Sequence, residues 1–232
     1  MDSTTRSARV AGALYLLMTL TAPIGLMYVP GKLVVRGDAT ATAGNLLASE
    51  SLFRLGIASE LFSAVVMILL VLALHRLLER VDRHLAVLMV ILALVQVPIA
   101  FLNAVNALGA LVIVRGARFL SVFDKPQRDA LAMLFLRLHD HGIIVNEVFW
   151  GLWLFPLGLL VFRSAILPRI LGVWLIINGF AYLVSSSTSL LLPQYGARVS
   201  RIVFPALLGE MALMLWLLIM GAKPQPRDAP AV

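Results

Sequence analysis

The chain has 232 residues, of which 61% are hydrophobic and only 13% are charged, and it contains no cysteine. A soluble domain carries about 45–50% apolar and about 25% charged residues, and a small chain has too little interior to hide such a surplus. Lipid must therefore cover the remainder. The absence of cysteine excludes disulfides, thiolate metal sites and cysteine nucleophiles.

The formal net charge of +7 does not indicate nucleic acid as a partner. The basic residues stand singly or in pairs at the ends of apolar runs, where they suit anionic lipid headgroups. No basic patch is interleaved with aromatic residues. Membrane lipids are therefore the expected partners.

Six apolar segments are long enough to cross a hydrocarbon core, which needs about 20 residues per helix. A helix satisfies its own backbone in lipid, so the segments predict an all-α membrane protein, a bundle of about six transmembrane helices in a single domain over residues 1–222. We interpret the first segment as a span because it is long for the apolar core of a cleaved signal peptide. The proline-rich tail 223–232 is predicted to be disordered. The predicted spans are 10–29, 52–78, 85–114, 143–162, 170–192 and 202–220.

The connecting segments carry their own predictions. Residues 32–51 form the first loop, and its alanine-rich part suits a short interfacial helix. Asp129 is a candidate N-cap for an amphipathic segment, residues 130–138, that leads into the fourth span. Residues 193–201 are predicted to form the last loop.

An even number of spans places both termini on the same side of the membrane. The Lys and Arg residues then divide almost equally between the two sides, so the positive-inside rule does not decide the orientation. The short turns place Arg80, Arg83, Arg163 and Arg169 tightly at the ends of spans. This placement favours both termini in the cytoplasm.

Charged groups inside a membrane cost at least about 2.5–3.5 kcal/mol each and therefore need a reason. The densest polar group begins at the edge of the fourth span, where residues seven apart on a helix are nearly aligned. Two interpretations stand. In the first, these residues form a site that shares a proton, binds a metal ion or holds a polar ligand. In the second, the histidines and Asp140 lie in headgroups and water, while Glu147 bonds a neighbouring helix. The metal signal is weak, since helical metal ligands need i, i+4 spacing. This polar stripe contains His139, Asp140, His141, Asn146 and Glu147.

Other polar residues interrupt the remaining spans. Glu60 lies in the second span, Asn103 shares a face of the third span with Gln96, and Glu210 lies near the middle of the sixth. Each is either a helix contact or part of a ligand or ion pathway. Asn178, Tyr182 and Ser185 share a face of the fifth span, a pattern typical of close helix packing.

Several runs carry a family resemblance. They are RVAGALYL at 9–16, LVVRGDATATA at 33–43, NLLASESLFRLG at 45–56, FWGL at 149–152, FRS at 162–164 and LPRILG at 167–172, with Leu138, His139 and Gly142 between them. The chain resembles the bacterial membrane family catalogued as domain of unknown function 4386, over nearly its whole length.

The resemblance implies a bacterial inner-membrane protein of about this length and supplies no activity. The Asp140–Glu147 pair lies outside the family pattern, which argues against a carboxylate mechanism shared by the family. The resemblance directs attention to the first loop, because a specific sequence in a loop indicates a functional or structural role. Its polar residues either line the mouth of a cavity or cap and dock a short helix; they are Arg36, Asp38, Asn45, Glu50 and Arg54.

Three functions remain open. The first is binding or transport of an ion or a small polar or amphipathic molecule, with Glu60, Asn103, Glu147 and Glu210 around one cavity. The second is a structural or accessory subunit whose polar groups only lock helices together. The third is an intramembrane hydrolase with His139, Asp140 and His141 in one coordination sphere. Nucleophile elbows, phosphate loops and zinc-protease helices are absent from the sequence, which argues against the better-known enzyme classes. No cofactor is expected.

Overall fold

The structure is a computed structural model that describes residues 3–223, and the tail beyond Lys223 lies outside the described residues. Every regular element in this range is a helix. The α-helices are α1 (Ser3–Pro23), α2 (Val29–Leu33), α3 (Ala39–Ala48), α4 (Glu50–Leu78), α5 (Arg83–Val114), α6 (Lys125–Leu152), α7 (Leu154–Arg163), α8 (Arg169–Leu191), α9 (Pro193–Val203) and α10 (Gly209–Ile219). A π-helical segment, Ile24–Tyr28, joins α1 to α2.

The prediction of an all-α membrane protein is confirmed. Within residues 3–223, five helical stretches are long and apolar enough to cross a membrane, and a sixth is added if the bent pair Pro193–Val203 and Ala206–Ile219 is one span. Large apolar side chains such as Met27, Leu102 and Ile170 are about two-thirds exposed. Because soluble proteins rarely expose extended apolar surfaces, such residues are the ones that lipid covers.

Helix boundaries differ from the predicted spans where proline and capping chemistry intervene. The first span continues beyond Pro30 to Leu33, because proline is tolerated in the first turn of a helix, here that of α2. Residues 193–201, predicted as a loop, are helical, and α9 also begins with a proline.

The amphipathic segment and the start of the fourth span form one continuous helix, α6. Asp124 rather than Asp129 caps it: the Asp124 carboxylate accepts from the Gln127 backbone N–H at 2.8 Å, and Gln127 Oε1 accepts from the Asp124 N–H at 3.0 Å. This is a capping box. Asp129 lies inside the first turns and pairs with Lys125 Nζ at 2.6 Å.

The chain divides into two compact units, and the boundaries fall inside α1, α4, α5 and α6. Unit 1 comprises residues 1–17, 66–95 and 147–232, and unit 2 comprises residues 18–65 and 96–146. The core of unit 2 is built from α2 to α6 around Leu46, Phe53 and Leu136. In unit 1 the largest buried side chains include Tyr15, Trp153 and Leu213.

Glycines bring α6, α7 and α8 together in unit 1. A Cβ at Gly151 would stand 2.7 Å from the Gly179 carbonyl oxygen, and one at Gly158 would stand 2.8 Å from the Gly172 carbonyl oxygen. Gly151 and Gly158 are seven residues apart, as are Gly172 and Gly179, and the two segments pair in antiparallel order. Small residues at such crossings let helix backbones approach closely where lipid provides no hydrophobic drive.

The first loop folds back on the chain within unit 2. Gly37 adopts φ +82°, a backbone conformation that is unfavourable for residues with a side chain. Asp38 Oδ1 then caps α3 by accepting from the Ala41 N–H at 2.8 Å, and Asn45 Nδ2 donates to the Leu33 carbonyl at 3.1 Å. The helix is thus capped at its start and tied to the end of α2.

Candidate functional site

A half-buried carboxylate and a buried imidazole meet in unit 2. Glu60 Oε2 of α4 lies 3.0 Å from His139 Nε2 of α6, and their side chains are only 15% and 8% exposed. Glu60 is ten residues into α4, about 15 Å along the helix axis at 1.5 Å per residue. The pair therefore lies within helices that are long and apolar enough to span a membrane, where the cost of an ionisable side chain makes it a candidate functional residue.

The backbone of the π-helical segment leaves room for the Glu60 side chain. A Cβ at Gly25 would collide with Glu60 Cγ and would stand 2.8 Å from Glu60 Oε1. π-Helical turns are rare and frequently occur at functional sites. The missing side chain at Gly25 therefore makes room for Glu60.

Two asparagines of α5 hold the His139 backbone. Asn103 Nδ2 donates to the His139 carbonyl at 2.9 Å, and Asn106 Nδ2 donates to Asn103 Oδ1 at 3.2 Å. Gly142 makes this approach possible, because a Cβ there would overlap the Asn103 amide. A chain of hydrogen bonds therefore runs from Asn106 through Asn103 to the residue that binds Glu60.

A small cavity of about 30 Å³ adjoins the pair. A single water needs roughly 10–15 Å³ of such space, so the cavity has room for one or two waters. Glu60, His139 and the exposed Asp140 provide its polar wall, and Val29, Phe53 and Leu136 belong to its apolar wall. The arrangement can hold water beside a carboxylate–imidazole pair.

The remaining residues of the predicted stripe have different surroundings. His141 is exposed, with Nδ1 2.7 Å from the Arg137 carbonyl. Asn146 is buried in unit 2 and donates to the Gln96 carbonyl at 3.4 Å. Glu147 belongs to unit 1, where it lies near Ser185 of α8.

Residues 3–223 contain no group of three or more His, Asp or Glu side chains arranged to hold a metal ion. His139 meets Glu60, whereas His141 turns to its own helix. The three-residue coordination sphere that an intramembrane hydrolase would need from His139, Asp140 and His141 is not assembled in this conformation.

Unit 1 contains a second carboxylate network, centred on Glu210 at the start of α10. Tyr15 Oη of α1 donates to Glu210 Oε1 at 2.5 Å. Tyr182 and Asn178, both on α8, lie near this carboxylate. The i, i+4 spacing of Asn178 and Tyr182 was visible in the sequence, but nothing in the sequence connected Tyr15 to them.

The polar residues of the first loop and its flank lie in unit 2 and mainly stabilise helices. Asp38 caps α3. Glu50 bonds Arg54 at 2.7 Å and lies 3.6 Å from Arg115, while Arg36 is exposed. Their geometry matches the capping and docking interpretation.

The fold and the two networks define a helical membrane protein in which carboxylates on the helices hydrogen-bond side chains of neighbouring helices. The chain belongs to the family described as "Domain of unknown function (DUF4386)", whose family model matches residues 10–221. Neither the curated proteins nor the solved structures include a match.

Proposed function

We propose that this protein binds and transports a small ion, most simply a proton, through the Glu60–His139 site. The observation that carries the proposal is a carboxylate–imidazole pair, 3.0 Å apart, inside apolar helices and beside a small cavity with room for water. Asp140, exposed and on the wall of the same cavity, gives an ion an acidic group to meet first.

The chemistry of the pair suits a proton better than an organic solute. A carboxylate and an imidazole can exchange a proton directly or through one water, and histidine changes charge near physiological pH. Chains of such residues act as proton relays in pumps and transporters. A small polar or amphipathic cargo would require a wider cavity in another conformation.

Transport is tested with the purified protein in liposomes that contain a pH-sensitive dye, under a potassium gradient with valinomycin. We expect acidification faster than in empty liposomes, and a loss of at least about tenfold in Glu60→Gln, since the amide cannot accept the proton. Glu79→Gln is the matched control, because it makes the same change at an exposed carboxylate. Wild-type flux equal to empty liposomes, or full flux in Glu60→Gln, would contradict the proposal.

A structural or accessory role is the second candidate. Its supporting observation is that the network also ties helices together, since Asn103 of α5 and Glu60 of α4 both bond to His139 of α6. Under this function the pair would matter for stability alone. Liposome flux and unfolding measurements on the same variants separate the two.

We further propose the bacterial cytoplasmic membrane as the location, with both termini in the cytoplasm. The cysteine-free chain is a ready background for accessibility labelling. We expect Ser121→Cys to react with a membrane-impermeant maleimide in intact bacterial cells, and Glu79→Cys to react only after permeabilisation. Both positions are exposed, so the reverse labelling pattern would invert the topology.

A further inference from the structure

A bend between two helices precedes Glu210 near the end of the described chain. The axes of Pro193–Val203 and Ala206–Ile219 differ by 52°, and Pro205 lies in the gap. Proline has no N–H to continue the helix and clashes with the preceding turn, which explains the break. Broken helices expose backbone carbonyls inside a membrane protein, and in transporters such carbonyls coordinate ions.

The break is packed closely on α8 within unit 1. A Cβ at Gly209 would stand 3.0 Å from the Trp174 carbonyl oxygen, and Asn178 Nδ2 donates to the Leu207 carbonyl at 3.4 Å. The missing side chain at residue 209 therefore lets the bent segment pack against α8, with Glu210 near Asn178 and Tyr182.

One atom of this network lacks a partner. Asn178 is fully buried, and its Oδ1 makes no hydrogen bond with any atom in the described part of the chain. A buried, unsatisfied amide oxygen costs about 1–3 kcal/mol, so a partner for it would stabilise the fold. A bound cation would satisfy it.

We propose that Glu210, Asn178, Tyr15 and Tyr182 form a binding site for a small monovalent cation, Na⁺. The donor set consists of hard oxygen atoms: a carboxylate, an amide carbonyl and two phenol hydroxyls that keep lone pairs while donating. A single carboxylate balances a single positive charge, whereas a divalent ion would call for more. The site is independent of the Glu60–His139 site and stands without it.

All four tryptophans of the chain lie in unit 1, and two of them report on this site. The Trp153 ring lies 6.4 Å from the Tyr15 ring, and the Trp150 ring lies 5.8 Å from the Tyr182 ring. The test is to titrate NaCl against choline chloride at constant ionic strength and pH, with the full-length protein in detergent. Tryptophan fluorescence and the melting temperature are recorded.

We expect a saturable fluorescence change and a higher melting temperature with Na⁺, because a ligand that binds only the native state stabilises it. Both responses should disappear in Glu210→Gln and persist in Glu60→Gln. Tyr182→Phe keeps the ring and removes one oxygen, so it tests the site even if Glu210→Gln fails to fold; its apparent Kd should rise at least about tenfold. Equal responses to Na⁺ and choline, or an unchanged Kd in Tyr182→Phe, would overturn the proposal.

Discussion

Gly158→Ala is expected to lower the free energy of unfolding by about 1–3 kcal/mol, the usual cost of forcing extra atoms into a packed interior. The new Cβ would stand 2.8 Å from the Gly172 carbonyl oxygen and 2.7 Å from Ile176 Cγ1. A backbone oxygen cannot rotate away, so α7 and α8 must separate. Thermal and denaturant unfolding in detergent, followed by circular dichroism, measures the loss.

Gly179→Ala tests the other glycine contact, because its Cβ would stand 2.9 Å from the Gly151 carbonyl oxygen. The two sites share no contact partner, so the losses should add in the double variant. Gly44→Ala is the control: Gly44 lies inside α3 with nothing within 4 Å of the new Cβ. There the substitution should stabilise the helix by up to about 1 kcal/mol. Equal effects at residues 44 and 158 would refute the close helix contact.

His139→Leu is expected to destabilise the protein by on the order of 3 kcal/mol, because it leaves the half-buried Glu60 carboxylate without its partner. Glu60→Leu combined with His139→Leu should recover most of this loss, since replacing both members of a buried pair by apolar residues is often neutral. The stabilities of the single and double variants measure the coupling between the two residues. A double variant less stable than His139→Leu would contradict this account of the pair.

The same variants separate the two candidate functions. If the pair serves ion transport, the double variant will be stable and inactive in liposomes. If the pair only locks helices, recovered stability will come with unchanged flux. His75→Leu is the comparison, because the His75–Glu79 pair is partly exposed, 3.5 Å apart, and should change stability by no more than about 1 kcal/mol.

Composition and periodicity were enough to predict an all-α membrane protein. The reason is physical. A lipid-spanning helix must be apolar over about 20 residues and must satisfy its own backbone hydrogen bonds, and both requirements depend on local sequence. Glu60, Asn103, His139 and Glu210 could also be singled out one by one, since a polar residue in an apolar helix is conspicuous in any sequence.

What these residues contact was decided by the tertiary structure. Glu60 and His139 are 79 positions apart, and Tyr15 and Glu210 are 195 apart; no local pattern encodes such pairings. They depend on glycines such as Gly25 and Gly142, whose missing side chains make room for Glu60 and Asn103. Nothing in the local sequence around these glycines indicates which residue they face. Helix spacing in a membrane protein is set by backbone contact at small residues, so its sites emerge only when the helices are packed.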